Sequence, residues 1–285
     1  MTFKLASSDR GQGPYVWRFS PFERVLHLMV IVSFFGLVMT GTPLLFAHTP
    51  WARGLINLFG GFQSAAYIHR VCAVITFAYF FLHVGDLTIR IARSSNRRAF
   101  FWGPDSMVPQ PKDFRDLGQT FKWFFGRGEP PRFDRWSYMD KLDYWGEFWG
   151  IAVIGGSGLI LWFPAFFSKL MPGWVFNVAT IIHGIEALLA AGIIFTIHFF
   201  NVNLRPEKFP IDVVMFTGRA TLDYMKEEHP LQYERLRSSG RLEERFVPPP
   251  SRSAYLWSVS LGLVGLSVGL LLIALILWAL LFGGG

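Results

Sequence analysis

The reading of the fold starts from Thr180-Ile181-Ile182-His183-Gly184-Ile185-Glu186, which runs on to Phe195-Thr196-Ile197-His198-Phe199-Phe200. This apolar segment is long enough to cross a bilayer and holds two histidines fifteen residues apart. At about 1.5 Å of rise and about 100° of turn per residue, they sit roughly 22 Å apart along a helix and only ~60° apart around it. One helix thus offers two imidazoles on nearly one face, one toward each side of a membrane. A histidine within a membrane is costly and usually functional. Two so placed suggest ligands for two stacked cofactors.

The chain has 285 residues, 52% of them hydrophobic and 16% charged. Runs of about 20 apolar residues mark transmembrane helices, and five such runs stand out, at 22–46, 66–91, 145–168, 174–201 and 254–282. The expected fold is therefore an all-α integral membrane bundle of four helices, 22–201, followed by an extra C-terminal transmembrane helix, 254–285. An N-terminal segment (1–21), a long connection (92–144) and a tail (202–253) lie outside the spans.

Of the 27 basic residues, 24 fall in those three polar segments or at their helix edges; only Arg53, Arg70 and Lys169 fall elsewhere. The positive-inside rule then places the N-terminus, with its Lys4 and Arg10, the 92–144 loop and the 202–253 tail in the cytoplasm, and the C-terminus outside. The net charge of +7 follows this topology and is not taken as a sign of nucleic-acid binding. The stretch Met1 to Ser20 is polar and lacks a signal-peptide core, so the first helix is expected to direct its own insertion. The single cysteine, Cys72, excludes an intramolecular disulfide, a Cys-only cluster and a c-type haem attachment motif.

The loop, rich in Pro, Gly and aromatics, reads as a packed interfacial segment. The tail reads as one or two short amphipathic helices, chiefly over Thr221 to Arg237, and Pro248-Pro249-Pro250 breaks the chain before the last span. That span carries small residues at Ser258, Gly262, Gly265 and Gly269, a stripe suited to a partner surface or to an ordinary lipid-facing helix.

Five of the seven histidines, His27, His69, His83, His183 and His198, fall within spans at paired depths. The outer level holds His69 and His183; the inner level holds His198 with either His27 or His83. Two facing imidazoles at one depth in a helical bundle can ligate a haem iron. Zinc or copper would need ligands converging at one level, commonly with a carboxylate or thiolate. The plain alternative is that each histidine is a helix–helix hydrogen-bonding residue. His48 and His229 lie in polar connections and read as surface residues.

Several motifs carry a resemblance. They are Phe22-Glu23-Arg24-Val25-Leu26-His27 and Phe35-Gly36-Leu37-Val38-Met39-Thr40-Gly41 on the first helix, and Lys141-Leu142-Asp143-Tyr144-Trp145 and Gly156-Ser157-Gly158 on the third. Ile182-His183 and Ile197-His198 on the fourth, with Gly218-Arg219 and His229-Pro230-Leu231-Gln232-Tyr233 in the tail, complete the set. Together they resemble the dihaem cytochrome b (gamma) subunit of membrane-bound formate dehydrogenase and its hydrogenase and thiosulfate reductase relatives, over about residues 15 to 240. The resemblance implies a four-helix cytochrome b bundle with two haem b groups, one on His27 and His198, the other on His69 and His183. It implies reaction with a quinone, menaquinone or ubiquinone, near Ser137, Asp140, Lys141, Asp143 and Tyr144. It also implies an extracytoplasmic iron–sulfur or multihaem cytochrome partner subunit, and residence in the bacterial cytoplasmic (inner) membrane.

Three features depart from that pattern. His83 is additional, and the pairs His69/His83 and His183/His198 resemble the spacing in the cytochrome b of bc-type complexes, which leaves the inner ligand open between His27 and His83. The fifteen-residue spacing on the fourth helix is one more than the family's, and the fifth helix is an addition.

Proton-handling candidates are Asp86, which an i,i+4 pair with Arg90 would also explain, and Glu186, either hydrogen-bonded to a ligand histidine or paired with Arg70. The expected function is an electron-transfer subunit rather than the substrate-converting one, with haem centres about 20 Å apart by helical rise. A non-redox membrane anchor with structural histidines is the alternative. A transporter is disfavoured, because no inverted repeat or Gly/Pro-broken helix pair is evident. Reporter fusions test the topology: alkaline phosphatase joined after Gly285 will be active, and joined within 92–144 or 202–253 inactive.

Overall fold

The computed structural model describes residues 14–283; Lys4, Arg10, Gly284, Gly285 and most of the polar stretch Met1 to Ser20 lie outside the described residues. The described residues are 74% helical. Helix α1 (Pro21–Leu45) opens with a capping box, in which the Ser20 amide donates to Glu23 Oε2 at 2.7 Å and the Glu23 amide to Ser20 Oγ at 3.2 Å. A short α2 (Pro50–Leu58) occupies the connection, and α3 (Phe62–Arg93) follows, with Arg90 and Arg93 complementing the negative end of its dipole. Next come α4 (Arg97–Trp102) and α5 (Pro111–Phe124).

Helix α6 (Tyr138–Gly150) continues through a π turn, Ile151–Gly155, into α7 (Gly156–Trp162); Pro164 ends it and opens α8 (Pro164–Phe167). Helix α9 (Trp174–Ile193) carries on through two further π turns, Ile194–His198 and Phe200–Leu204. The tail holds α10 (Val214–Thr217), α11 (Leu222–Glu228) and α12 (Pro230–Ser238), and α13 (Arg252–Phe282) closes the chain. The tail segment 221–237 is two short helices, because Pro230 has no amide proton to continue α11 and instead takes the first position of α12.

Among the described residues, four helices are long and apolar enough to cross a membrane: Pro21–Leu45, Phe62–Arg93, Trp174–Leu204 and Arg252–Phe282. The remaining expected span, 145–168, falls on α6 and α7, where Glu147, several glycines and the tryptophans dilute its apolar character.

The all-α expectation needs one correction. Strand β1 (Tyr15–Trp17) pairs antiparallel with β2 (Arg219–Thr221) and β3 (Phe246–Val247), in the order β2-β1-β3. Strands of two or three residues are too short to show an alternating pattern, and their partners lie some 200 residues apart, so only tertiary pairing reveals them.

The chain forms two compact units. One gathers the segment ending at Arg24 with Val84–Gly146 and Val213–Leu256; the other comprises Val25–His83, Glu147–Asp212 and the chain from Trp257 onward. The three polar segments expected separately therefore share one unit, with a core of Val16, Val214, Ala220, Met225, Leu236 and Leu242. Beside it Arg18, 5% exposed, donates to the Arg135 carbonyl at 2.6 Å, to Gln232 Oε1, and to His229 Nε2 at 2.7 Å. His229 Nδ1 lies 2.8 Å from the Asp134 carbonyl, so it carries the proton and Nε2 accepts from Arg18. His229 is thus buried, not the surface residue its polar neighbours suggest. The guanidiniums of Arg18 and Arg135 both lie over the Trp136 ring, and burial together with Arg18 lowers the Arg135 guanidinium from its ordinary value.

In the other unit, α13 packs through its small residues. Ser258 is buried, Gly262 lies under Ile211, Gly265 faces Phe35, and Gly269 fits against Phe195 and Phe199. The stripe is an internal contact, neither a partner surface nor lipid-facing: at Gly262 and Gly269 a Cβ would meet Ile211 and the Phe195 and Phe199 rings at less than van der Waals distance. A Cβ on Gly269 would come within 2.7 Å of Phe195 Cδ1. Gly269→Val will therefore destabilise this unit by about 1–3 kcal/mol through overpacking, read as a lower midpoint of thermal unfolding in detergent.

Candidate cofactor site

A buried imidazole must find a partner for its N–H, and at one level two rings meet this demand in the same way. His69, on α3, has Nδ1 2.9 Å from Thr40 Oγ1. The Thr40 hydroxyl gives its own proton to the Gly36 carbonyl at 2.6 Å, so Nδ1 of His69 is the donor. His183, on α9, has Nδ1 2.9 Å from the Ile154 carbonyl and 3.3 Å from Ser157 Oγ. Ile154 lies in the π turn, whose altered backbone bonding lets this carbonyl serve another helix. With Nδ1 protonated in both rings, Nε2 of each keeps an unprotonated lone pair, the form in which histidine binds a metal.

The rings also stand at a telling distance. Their centroids are 6.2 Å apart, with planes inclined at 66°. Two metal–imidazole bonds of about 2.0 Å, each extended by a ring radius of about 1.15 Å, would set the centroids about 6.3 Å apart around one ion. The measured centroid separation is close to that span.

A glycine flanks each ring. A Cβ on Gly41 would lie 3.1 Å from His69 Cε1, and one on Gly158 would lie 3.0 Å from His183 Cε1. The same dipeptide logic is used twice: Thr40-Gly41 serves His69 and Ser157-Gly158 serves His183, the hydroxyl fixing the ring and the glycine admitting it. Sequence reasoning passed over the two hydroxyls, although a hydroxyl–glycine pair on each of two helices was the signal.

At the other level, His27 and His198 are close enough to interact electrostatically. His198 closes the π turn Ile194–His198, which takes up one residue relative to a straight α-helix and so absorbs the fifteenth residue between the two α9 histidines. His83 has its ring edge-on to Phe148, with centroids 6.2 Å apart. Nearby in sequence, Tyr79 donates to Glu147 and packs with Leu26 and Ile151.

The other expected site residues separate into distinct environments. Asp86 pairs with Arg90 at 2.7 Å. Glu186 accepts from Trp149 Nε1 at 3.3 Å, and Arg70 lies over the Trp162 ring at 5.9 Å, so the structure gives each a partner other than the expected Glu186–Arg70 pairing. In the unit that holds Val84–Gly146, Ser137 and Asp140 form the capping box of α6, with the Ser137 amide and hydroxyl each 2.8 Å from Asp140 Oδ2. Lys141 is buried against Asp113, with Nζ 2.8 and 3.0 Å from its carboxylate oxygens. Asp143 has a buried carboxylate oxygen, and burial pushes the Tyr144 phenol up to about 12, keeping it a neutral donor at physiological pH. Helix capping and a buried ion pair thus account for Ser137, Asp140 and Lys141 structurally.

No protein-family model matches this chain, and no curated protein matches it significantly. The site's own geometry is therefore what bears on function.

The geometry distinguishes two substitutions next to one ring. Ser157→Ala leaves His183 its bond to the Ile154 carbonyl and will cost about 0.5–1.5 kcal/mol of stability or less. Gly158→Val drives a side chain into the imidazole and will cost about 1–3 kcal/mol. Thermal unfolding of the two purified variants compares them directly.

Proposed function

We propose that this chain is an integral membrane b-type cytochrome with two haems, the quinone-reactive electron-transfer subunit of a respiratory complex. The observation that carries the reading is the His69–His183 pair: two imidazoles in an apolar helical unit, each anchored at Nδ1, with ring centroids 6.2 Å apart. His27 and His198, which interact electrostatically, would hold the second haem; His83, against Phe148, is assigned a packing role.

A haem held between two histidines takes up and releases one electron with its ligands unchanged. The chain's part is to keep its imidazoles oriented and to exclude water. Thr40, Ser157 and the Ile154 carbonyl fix the rings at one level, while Phe195 and Phe199 pack beside His198 at the other. Buried carboxylate and phenol groups, such as Glu147 with Tyr79, would handle the protons that accompany quinone chemistry.

Four apolar helices together with α6–α7 would make five crossings of the bacterial cytoplasmic membrane, with the N-terminus, the 92–144 loop and the 202–253 tail in the cytoplasm. The outer connections 47–65 and 169–173 are short, so the catalytic domain would belong to an extracytoplasmic iron–sulfur or multihaem subunit.

A pyridine haemochrome assay on the purified chain tests this. Two b-type haems per chain are expected, falling to one in His69→Ala, His183→Ala and His27→Ala, and remaining two in His83→Ala. Folded, membrane-inserted protein without haem would overturn the proposal and leave a membrane anchor.

A further inference from the structure

Helix α5 carries its two faces the wrong way round for a protein surface in water. Its polar side is turned toward its own unit: Asp113 is buried on Lys141, Thr120 Oγ1 accepts from Tyr138 Oη at 3.2 Å, and Lys112 donates to the Arg132 carbonyl at 2.9 Å. Its apolar side is turned outward. Phe114, Leu117, Phe121 and Phe124 recur at helical spacing, within an arc of ~80° at about 100° per residue. Phe114, Phe121 and Phe124 are 71%, 60% and 75% exposed.

The charges beside this face are of one sign. Asp113 pairs with Lys141 and Asp116 with Lys112, so the helix's carboxylates are neutralised. Among the described residues, Arg115, Lys122 and Arg127 form no ion pair, and all three are exposed. Helix α4 repeats the composition on a smaller scale, with Arg97 and Arg98 followed by exposed Phe101 and Trp102. Aromatic and leucine side chains on one face, edged by unneutralised cations, are the composition of a helix lying in a lipid headgroup layer.

We propose that α5 is a monotopic membrane helix, its Phe114–Leu117–Phe121–Phe124 face among acyl chains and its Arg115 and Lys122 edge on anionic headgroups. The inference rests on reading the chain as a membrane protein, because the bilayer it occupies is the one its long helices would cross. It makes the 92–144 segment a second point of attachment and ties this unit's position to the lipid charge.

The test uses the full chain with Cys72→Ala and single cysteines at Leu117, Gln119, Phe121 or Phe124, spin-labelled and reconstituted in nanodiscs of phosphatidylcholine with phosphatidylglycerol. Collision rates with oxygen and with a water-soluble nickel chelate are then compared. The oxygen-to-nickel ratio at 117, 121 and 124 is expected to be several-fold above that at 119, and to fall when Arg115→Gln and Lys122→Gln are combined or when the nanodiscs are purely zwitterionic. Nickel access at all four positions would overturn the proposal, as would low access of both reagents, which would mean that protein covers the face. An unchanged ratio in zwitterionic nanodiscs would overturn the role of anionic headgroups. Failure of the protein to incorporate into nanodiscs would instead remove the membrane reading itself.

Discussion

The constraint on which this structure depends is the need to satisfy one N–H of an imidazole in an apolar interior. A polar group left unpaired there costs several kcal/mol, and the chain meets the demand with backbone carbonyls and hydroxyls on the facing helices. Because Thr40 gives its proton to Gly36, and Ile154 offers a carbonyl, each ring must donate through Nδ1. That choice fixes the tautomer, and the tautomer leaves Nε2 unprotonated. The ring separation, the flanking glycines and the π turn in the third helix all serve the same arrangement. A regular α-helix through Ile154 would keep this carbonyl in its own ladder.

The fifth helix is part of the same packing problem. Gly269 fits between Phe195 and Phe199, the rings on either side of His198 in sequence, and Phe34 and Phe35 pack edge-on or tilted against Phe195. An element that looked like an appendage therefore supports the helix carrying two histidines. Its small residues are used for close backbone approach, the device that replaces hydrophobic burial where the surrounding medium is itself apolar.

The other unit inverts the usual distribution of polarity. Its interior includes Arg18 bonded to His229 and Gln232, and Lys141 on Asp113, while phenylalanines of α5 face outward. Charges can be enclosed here because each is paired and further bonded; breaking one partner of such a pair is far more costly than its net contribution suggests. The two tail helices meeting at His229-Pro230 follow from that network, since the buried ring bonds both the Asp134 carbonyl and Arg18.

By itself the sequence determined the helical class and the placement of four long apolar helices. Those properties are written in run length and in the 3.6-residue period, which any local window exposes. Tertiary structure alone decided the rest. The three-stranded sheet joins residues far apart in the chain through strands too short to carry a pattern. The burial of His229 comes from Arg18, some two hundred residues away. The assignment of Glu186 to Trp149 and of Arg70 to Trp162 depends on how neighbouring helices are rotated. The inward packing of the α13 glycines depends on which faces of the helices meet. Hydrogen-bond partners and packing contacts are relations between distant segments, and no local periodicity encodes them.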